Sequence, residues 1–309
     1  MALRLALVGV AQALGTVLAP LLGGLLLNSY PAPQPLAGPY LALAGSLLAG
    51  AGLVLALARQ LRPVPEQLAT TPVPAAGTAD TPALGGRPFG LGLLAAFICA
   101  GVPAGLGVVF IPYGQSLGLA HLSAFTVARL HELDAGLRLL LGAAGQPVAT
   151  AGGFTVTVGA TLLGFYWLGL AGGRLAGLPL LALLPGRGVL VAAAGTAATL
   201  VLAAPLAGGD AGLWLLVASG LATALLWPLV AARALAGLGR AGPLGGGLLV
   251  LAALAGSAVV PPLMGQLAAH GGWGMAFGVP VAGYLYLVHY ALRGSQPPPV
   301  GAGAGPAVA

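Results

Sequence analysis

The sequence predicts an all-α integral membrane protein, a bundle of about eight spanning helices, and three observations carry that prediction. Of 309 residues, 59% are hydrophobic and only 5% are charged. The apolar residues gather into runs around 5–27, 38–58, 89–113, 154–178, 188–206, 211–233, 244–268 and 274–292. Each run is long enough to cross about 30 Å of hydrocarbon as a helix of roughly 20 residues. None of the five acidic residues falls inside a run, and there is no lysine. A soluble fold would need eight consecutive helices almost without a polar face, which this composition makes untenable.

The first run follows Arg4 but exceeds the core of a signal peptide, and a second run comes directly after it. Residues 59–87, rich in Pro, Thr and Ala, read as a flexible cytoplasmic linker. They separate two spans in 1–58 from six in 88–294, and 295–309 reads as a disordered tail. Within the larger part, 114–153 is an outer insertion. There Leu130, Leu133, Leu137, Leu140 and Leu141 recur at helical spacing opposite Arg129, Glu132 and Arg138, as in an amphipathic helix lying on the membrane.

Arginine sets the orientation. Nine of the eleven basic residues fall on one side if the chain starts inside, and only Arg129 and Arg138 fall on the other, which predicts both termini in the cytoplasm of an inner-membrane protein. The net charge of +6 then reflects juxtamembrane arginines facing anionic lipid, and no basic cluster points to nucleic acid.

Within lipid the 53 glycines are packing residues, because small side chains let helix backbones approach closely. Gly169, Gly173 and Gly177 line one helix face and predict a close crossing. Pro103, Pro228 and the pair Pro261–Pro262 stand inside runs, where each frees a carbonyl and either bends its helix or lines a cavity. The single Cys99 excludes an intrachain disulfide and reads as a small packing residue. His289 reads as a packed neutral side chain near one interface.

No enzyme chemistry stands out. His131-Glu132-Leu133-Asp134 begins like a zinc-protease motif but has Ala135 where the second histidine is required. A phosphate loop needs a lysine, and the acids lie in connections, away from any Ser or His at a common depth. The expectation is no enzyme, no cofactor and no metal.

Several stretches resemble the fucose permease and glucose/galactose transporter branch of the major facilitator superfamily. Gly220 to Leu229, GLATALLWPL, resembles the tenth helix of that branch. Phe165 to Gly177, ending in Gly173-Arg174-Leu175-Ala176-Gly177, resembles the eighth helix and its cytoplasmic arginine motif. Gly256 to Gly265 resembles the eleventh, Pro280 to Gly294 the twelfth, residues 14–24 the fifth and Gly38 to Leu41 the start of the sixth.

The resemblance implies a partial twelve-helix fold whose first four helices have no counterpart before Met1. It implies secondary transport of a small neutral sugar (glucose, galactose or fucose) by alternating access with proton symport, the alternative being a truncated, non-transporting membrane protein or interaction module. It also implies a central path lined by Gln12, Thr16, Tyr113, Tyr166, Trp167, Thr223, Trp227 and Ser257. Hydroxyl and amide groups there can pair with sugar hydroxyls, and aromatic rings can cover the apolar face of the sugar. Arg174 is implied as a gating residue in the loop after the eighth helix. The family's proton-linked acidic residues lie in the four helices without a counterpart, and within the part present its seventh-helix glutamate is Pro103 and its tenth-helix asparagine is Thr223.

Overall fold

The computed structural model describes residues 86–118 and 154–294 apart from 237, 239 and 240. It also describes scattered positions within 41–52 and 123–136 and the pair 150–151. The spans at 5–27 and most of 38–58, the linker and the tail therefore lie outside the described residues. So do Gln12 and Thr16.

Six of the predicted spans fall among the described residues. Helix α1, Arg87–Leu117, starts on Pro88 in its first turn, where a missing N–H costs nothing, and stops at Gly118 with φ 68. Helix α2 is Val156–Leu183 and α3 is Gly186–Ala207. The predicted run at 211–233 divides into α4, Gly209–Thr223, and α5, Leu226–Ala234. Pro228 explains the division: its ring has no N–H and crowds the carbonyl four residues earlier, on Ala224. Before α2, Thr150–Ala151 pairs antiparallel with Phe154–Thr155, a two-residue ladder that interrupts the expected all-helical chain.

The last two runs form two helical limbs that meet at Gly272, together labelled α6, Gly242–His289, and completed by a π-helical turn at Tyr290–Gly294. At about 1.5 Å per residue, 48 residues would reach roughly 70 Å, more than twice a bilayer core. Gly272, with φ 78 and ψ 176, resolves the excess by reversing the chain, a backbone state that L residues other than glycine rarely adopt. The two limbs lie side by side, because Gly256 of the first and Gly283 of the second both pack on α1, near Phe97 and near Ile98 and Val102.

Glycine sets the helix spacing. A Cβ at Gly256 would run into the Phe97 carbonyl oxygen, and one at Gly101 would stand 2.8 Å from the Gly256 carbonyl oxygen. On the other side of the bundle, the predicted stripe of Gly169, Gly173 and Gly177 packs on α4 and the break after it. A Cβ at Gly173 would stand 2.6 Å from the Leu221 carbonyl oxygen, Gly177 holds the Leu225 side chain, and Gly220 meets the Tyr166 backbone. Van der Waals contact at this range holds helices together where apolar burial gives no drive, since lipid tails are as apolar as the helices. Leucines such as Leu168, Leu202, Leu221 and Leu254 are left on the outside of the bundle, as lipid contact allows.

The two ends of the bundle differ in chemistry. At one end Arg187 donates from Nη2 to the Leu292 carbonyl oxygen at 2.7 Å, tying the start of α3 to the final turn. At the other, Asp210 in the first turn of α4 accepts the Ser123 backbone N–H at 3.0 Å. Ser123 in turn accepts the Thr126 N–H on its Oγ at 3.2 Å, a capping contact for the helical positions that follow. The negative Asp210 at a helix start and the positive Arg233 in the last turn of α5 both suit the helix dipole.

Candidate functional site

Two of the sequence-predicted residues, Tyr166 and Thr223, meet within the bundle, together with Tyr284. Tyr166 lies ten residues into α2, and the closely packed Gly220 brings it against the end of α4. Its hydroxyl faces those of Thr223 and of Tyr284 on the second limb of α6. All three side chains are enclosed: Tyr166 and Tyr284 are 1% exposed and Thr223 is 5% exposed. Thr223 donates its hydroxyl back to the Gly220 carbonyl oxygen at 3.0 Å, and Ser219 does the same to Leu216 at 2.7 Å. These back-bonds occupy carbonyls just ahead of the break, where the helical ladder is about to fail.

Trp167 stands edge-on to Tyr166, with ring centroids 5.1 Å apart, and is half-buried next to Gly107 of α1. Trp227 is half-buried one turn after Thr223, beyond the break, where it packs against both apolar clusters of the bundle. Ser257 is half-buried beside Gly256, at the depth of Phe97 and Gly101. These three side chains retain exposed surface, whereas Tyr166 and Thr223 are walled in behind them.

Tyr113 stands apart from this group. It lies near the end of α1 on the Asp210 side, in an aromatic cluster with Trp273 at 5.4 Å and Phe277 at 5.0 Å, both edge-on. Its hydroxyl reaches toward the Ala204 carbonyl oxygen at 3.5 Å, a long contact that helps close α3 onto α1. Tyr113 thus braces the turn at Gly272 from inside the bundle.

Arg174 is not in a loop. Helix α2 continues to Leu183, so Arg174 lies within it, half-buried, beside Gly173 and Gly177, which pack on Ala224 and Leu225. Pro179 lies inside the helix, where a proline bends it without ending it when the flanking residues stay helical. His289 is exposed rather than packed, its ring 6.5 Å from that of Tyr286, whose hydroxyl donates to the Leu91 carbonyl oxygen at 2.9 Å. Cys99 is buried as expected.

Tyr284 was not among the sequence candidates, although it lies deep within the last apolar run. Its depth is the same signal that singled out Trp227, and only its packing on Tyr166 distinguishes it from the nearby Tyr286 and Tyr290. Among the described residues no cluster of three His, Cys, Asp or Glu side chains could hold a metal ion.

No family model matches the sequence. The chain is 31% identical over 147 residues to the glucose/galactose transporters of Brucella abortus biovar 1 (strain 9-941) and of Brucella abortus (strain 2308). That similarity covers 48% of this chain, which spans only about a third, 35%, of the length of those relatives. The fold is similar to a crystal structure of the major facilitator superfamily transporter FucP in the outward conformation, and to a variant of the E. coli fucose:proton symporter FucP. The TM-score is 0.52 at 22% identity, over 68% of this chain and 43% of the solved one. The sequence resemblance to glucose/galactose transporters thus extends over about half of this chain, and the fold is similar to that of a major facilitator superfamily transporter.

Proposed function

We propose that this chain is the sugar-handling carboxy-terminal bundle, with two helices of the amino-terminal bundle, of a secondary transporter for a monosaccharide of the glucose, galactose or fucose class. The supporting observation is the kink between α4 and α5, where Ala224 and Leu225 keep helical φ/ψ but the regular hydrogen-bond ladder lapses ahead of Pro228. Backbone carbonyls freed by a proline kink inside a span are available to a ligand where they line a cavity. Trp227 follows the kink, and it, Trp167 and Ser257 retain the exposed surface a ligand needs. Gln12 and Thr16 would complete the path from the amino-terminal side. Arg174 would pair with a helix end of the opposite bundle as the two bundles rock.

Equilibrium binding tests this reading. The purified chain should bind labelled glucose, galactose or fucose saturably, and Trp227→Ala should weaken it roughly threefold to tenfold, the loss of about 0.5–1.5 kcal/mol of ring contact. Saturable binding of none of the three by folded protein would overturn the reading and favour a non-transporting membrane protein. In liposomes this chain alone should not accumulate sugar against a proton gradient, since no apolar run contains a carboxylate.

The arginine distribution supports cytoplasmic termini in the inner membrane. In a Cys99→Ser background, Ala75→Cys should be labelled from the cytoplasm and Ala120→Cys from outside. Labelling of both from one side would remove α1 as a span.

A further inference from the structure

Arginines from four separate segments gather at one end of the bundle. Arg187, in the first turn of α3, donates from Nη2 to the Leu292 carbonyl oxygen at 2.7 Å, which holds its guanidinium against the residue that precedes Arg293. Both arginines are exposed, and a guanidinium has five N–H donors, so one bond to a carbonyl leaves most of the fork free. Arg87 opens α1 one turn before Leu91, which lies beside Gly294. Arg233 precedes Ala234, which packs on Gly92 near the Tyr290 hydroxyl.

The electrostatics of this end are unbalanced. Arg87 and Arg187 occupy helix starts, where the dipole is already positive and a cation is disfavoured. Neither start has an acidic residue in its first turn or a side-chain cap. Of the described carboxylates, Glu132 pairs with Arg129, and Asp210 lies beyond the far end of the 22-residue α3, roughly 33 Å away at about 1.5 Å per residue. An anion would restore the balance, and the neighbouring surface selects its kind. Leu184 precedes Arg187 by three residues, Leu285 and Leu292 share the outer face of the last limb, and all three are exposed. Free phosphate gains nothing from apolar surface, whereas a phospholipid carries its phosphate directly above its acyl chains. We propose that Arg187 and Arg293 bind the phosphate of one anionic phospholipid whose chains lie along Leu184, Leu285 and Leu292. The planar forks suit a phosphate, and the lipid would reinforce the tie between the start of α3 and the final turn. Arg87 and Arg233 add positive charge at the same end. The site needs only the helical bundle in a membrane, so it stands or falls separately from sugar transport.

Native mass spectrometry of the purified full chain in detergent tests it, with dioleoyl phosphatidylglycerol, dioleoyl phosphatidylcholine and inorganic phosphate as probes. Phosphatidylglycerol should be retained saturably, one molecule per chain, at least about fivefold more tightly than phosphatidylcholine and without displacement by excess inorganic phosphate. Arg187→Gln and Arg293→Gln should each weaken that retention about fivefold, while Arg129→Gln in the outer insertion should change it by no more than about twofold. Equal retention of the two lipids would mean that the chains alone are held, and displacement by inorganic phosphate would mean a free-anion site. Unchanged retention in both glutamine variants would place the lipid elsewhere. Each of these results overturns the proposal. So does phosphatidylglycerol that is retained only after Glu66→Gln and Asp80→Asn, since the linker carboxylates would then be the occupants. If the glutamine variants do not fold, the wild-type chain decides: its preference for phosphatidylglycerol should shrink as salt rises from about 0.05 to about 0.5 M, and a preference indifferent to salt would refute the site.

Discussion

The crossing of α1 with the first limb of α6 and the crossing of α2 with α4 are built from the same residue type and differ in what they position. In the first, Gly101 and Gly256 bring two backbones together and the surroundings are Phe97, Val102, Val260 and Met264, an apolar contact throughout. In the second, Gly169, Gly173, Gly177 and Gly220 achieve the same approach, but they deliver Tyr166 to Thr223 beside a helix break. Glycine fixes distance in both. The neighbour of the glycine decides whether that distance makes a dry joint or a polar one.

Overpacking should break the dry joint most severely. Gly256→Leu would push a side chain into the Phe97 backbone, which cannot turn aside as a side chain can, so a loss at or beyond about 3 kcal/mol is expected, seen as failure to recover folded protein in detergent. Gly278→Ala, at a helical position with nothing within 4 Å, is the control and should be neutral or stabilising by up to about 1 kcal/mol.

A milder insult sharpens the comparison at the polar joint. Gly173→Val meets the Leu221 carbonyl oxygen and the Ala224 side chain, both 2.6 Å from the added Cβ. Because the helix already breaks just beyond Ala224, the segment after it can shift, and about 1–3 kcal/mol is expected. Sugar binding should fall further than stability does. Equal melting losses for Gly173→Val and Gly256→Leu would show that the break gives no freedom.

The smallest effect belongs outside both joints. Arg129 and Glu132 pair at 2.9 Å with side chains 64% and 66% exposed, and solvent screens such a pair. Arg129→Ala should move the melting midpoint by no more than about 1 °C, corresponding to a few tenths of a kcal/mol.

Composition and spacing determined the membrane class, the helical state of the described apolar runs and the Gly169, Gly173, Gly177 face, because a bilayer admits few solutions to backbone hydrogen bonding and hydropathy reports them directly. The prolines announced a disturbance in the 211–233 run, and Pro228 produced one. The sequence could not show that Arg174 stays on a helix, that Tyr113 belongs with Trp273 and Phe277, or that Tyr284 rather than Tyr286 faces Tyr166. Those depend on which helix lies beside which and at what rotation. In an almost uniformly apolar chain every face of a helix looks alike, so rotation is chosen by the shape of the glycine contacts, and that choice exists only in the packed bundle.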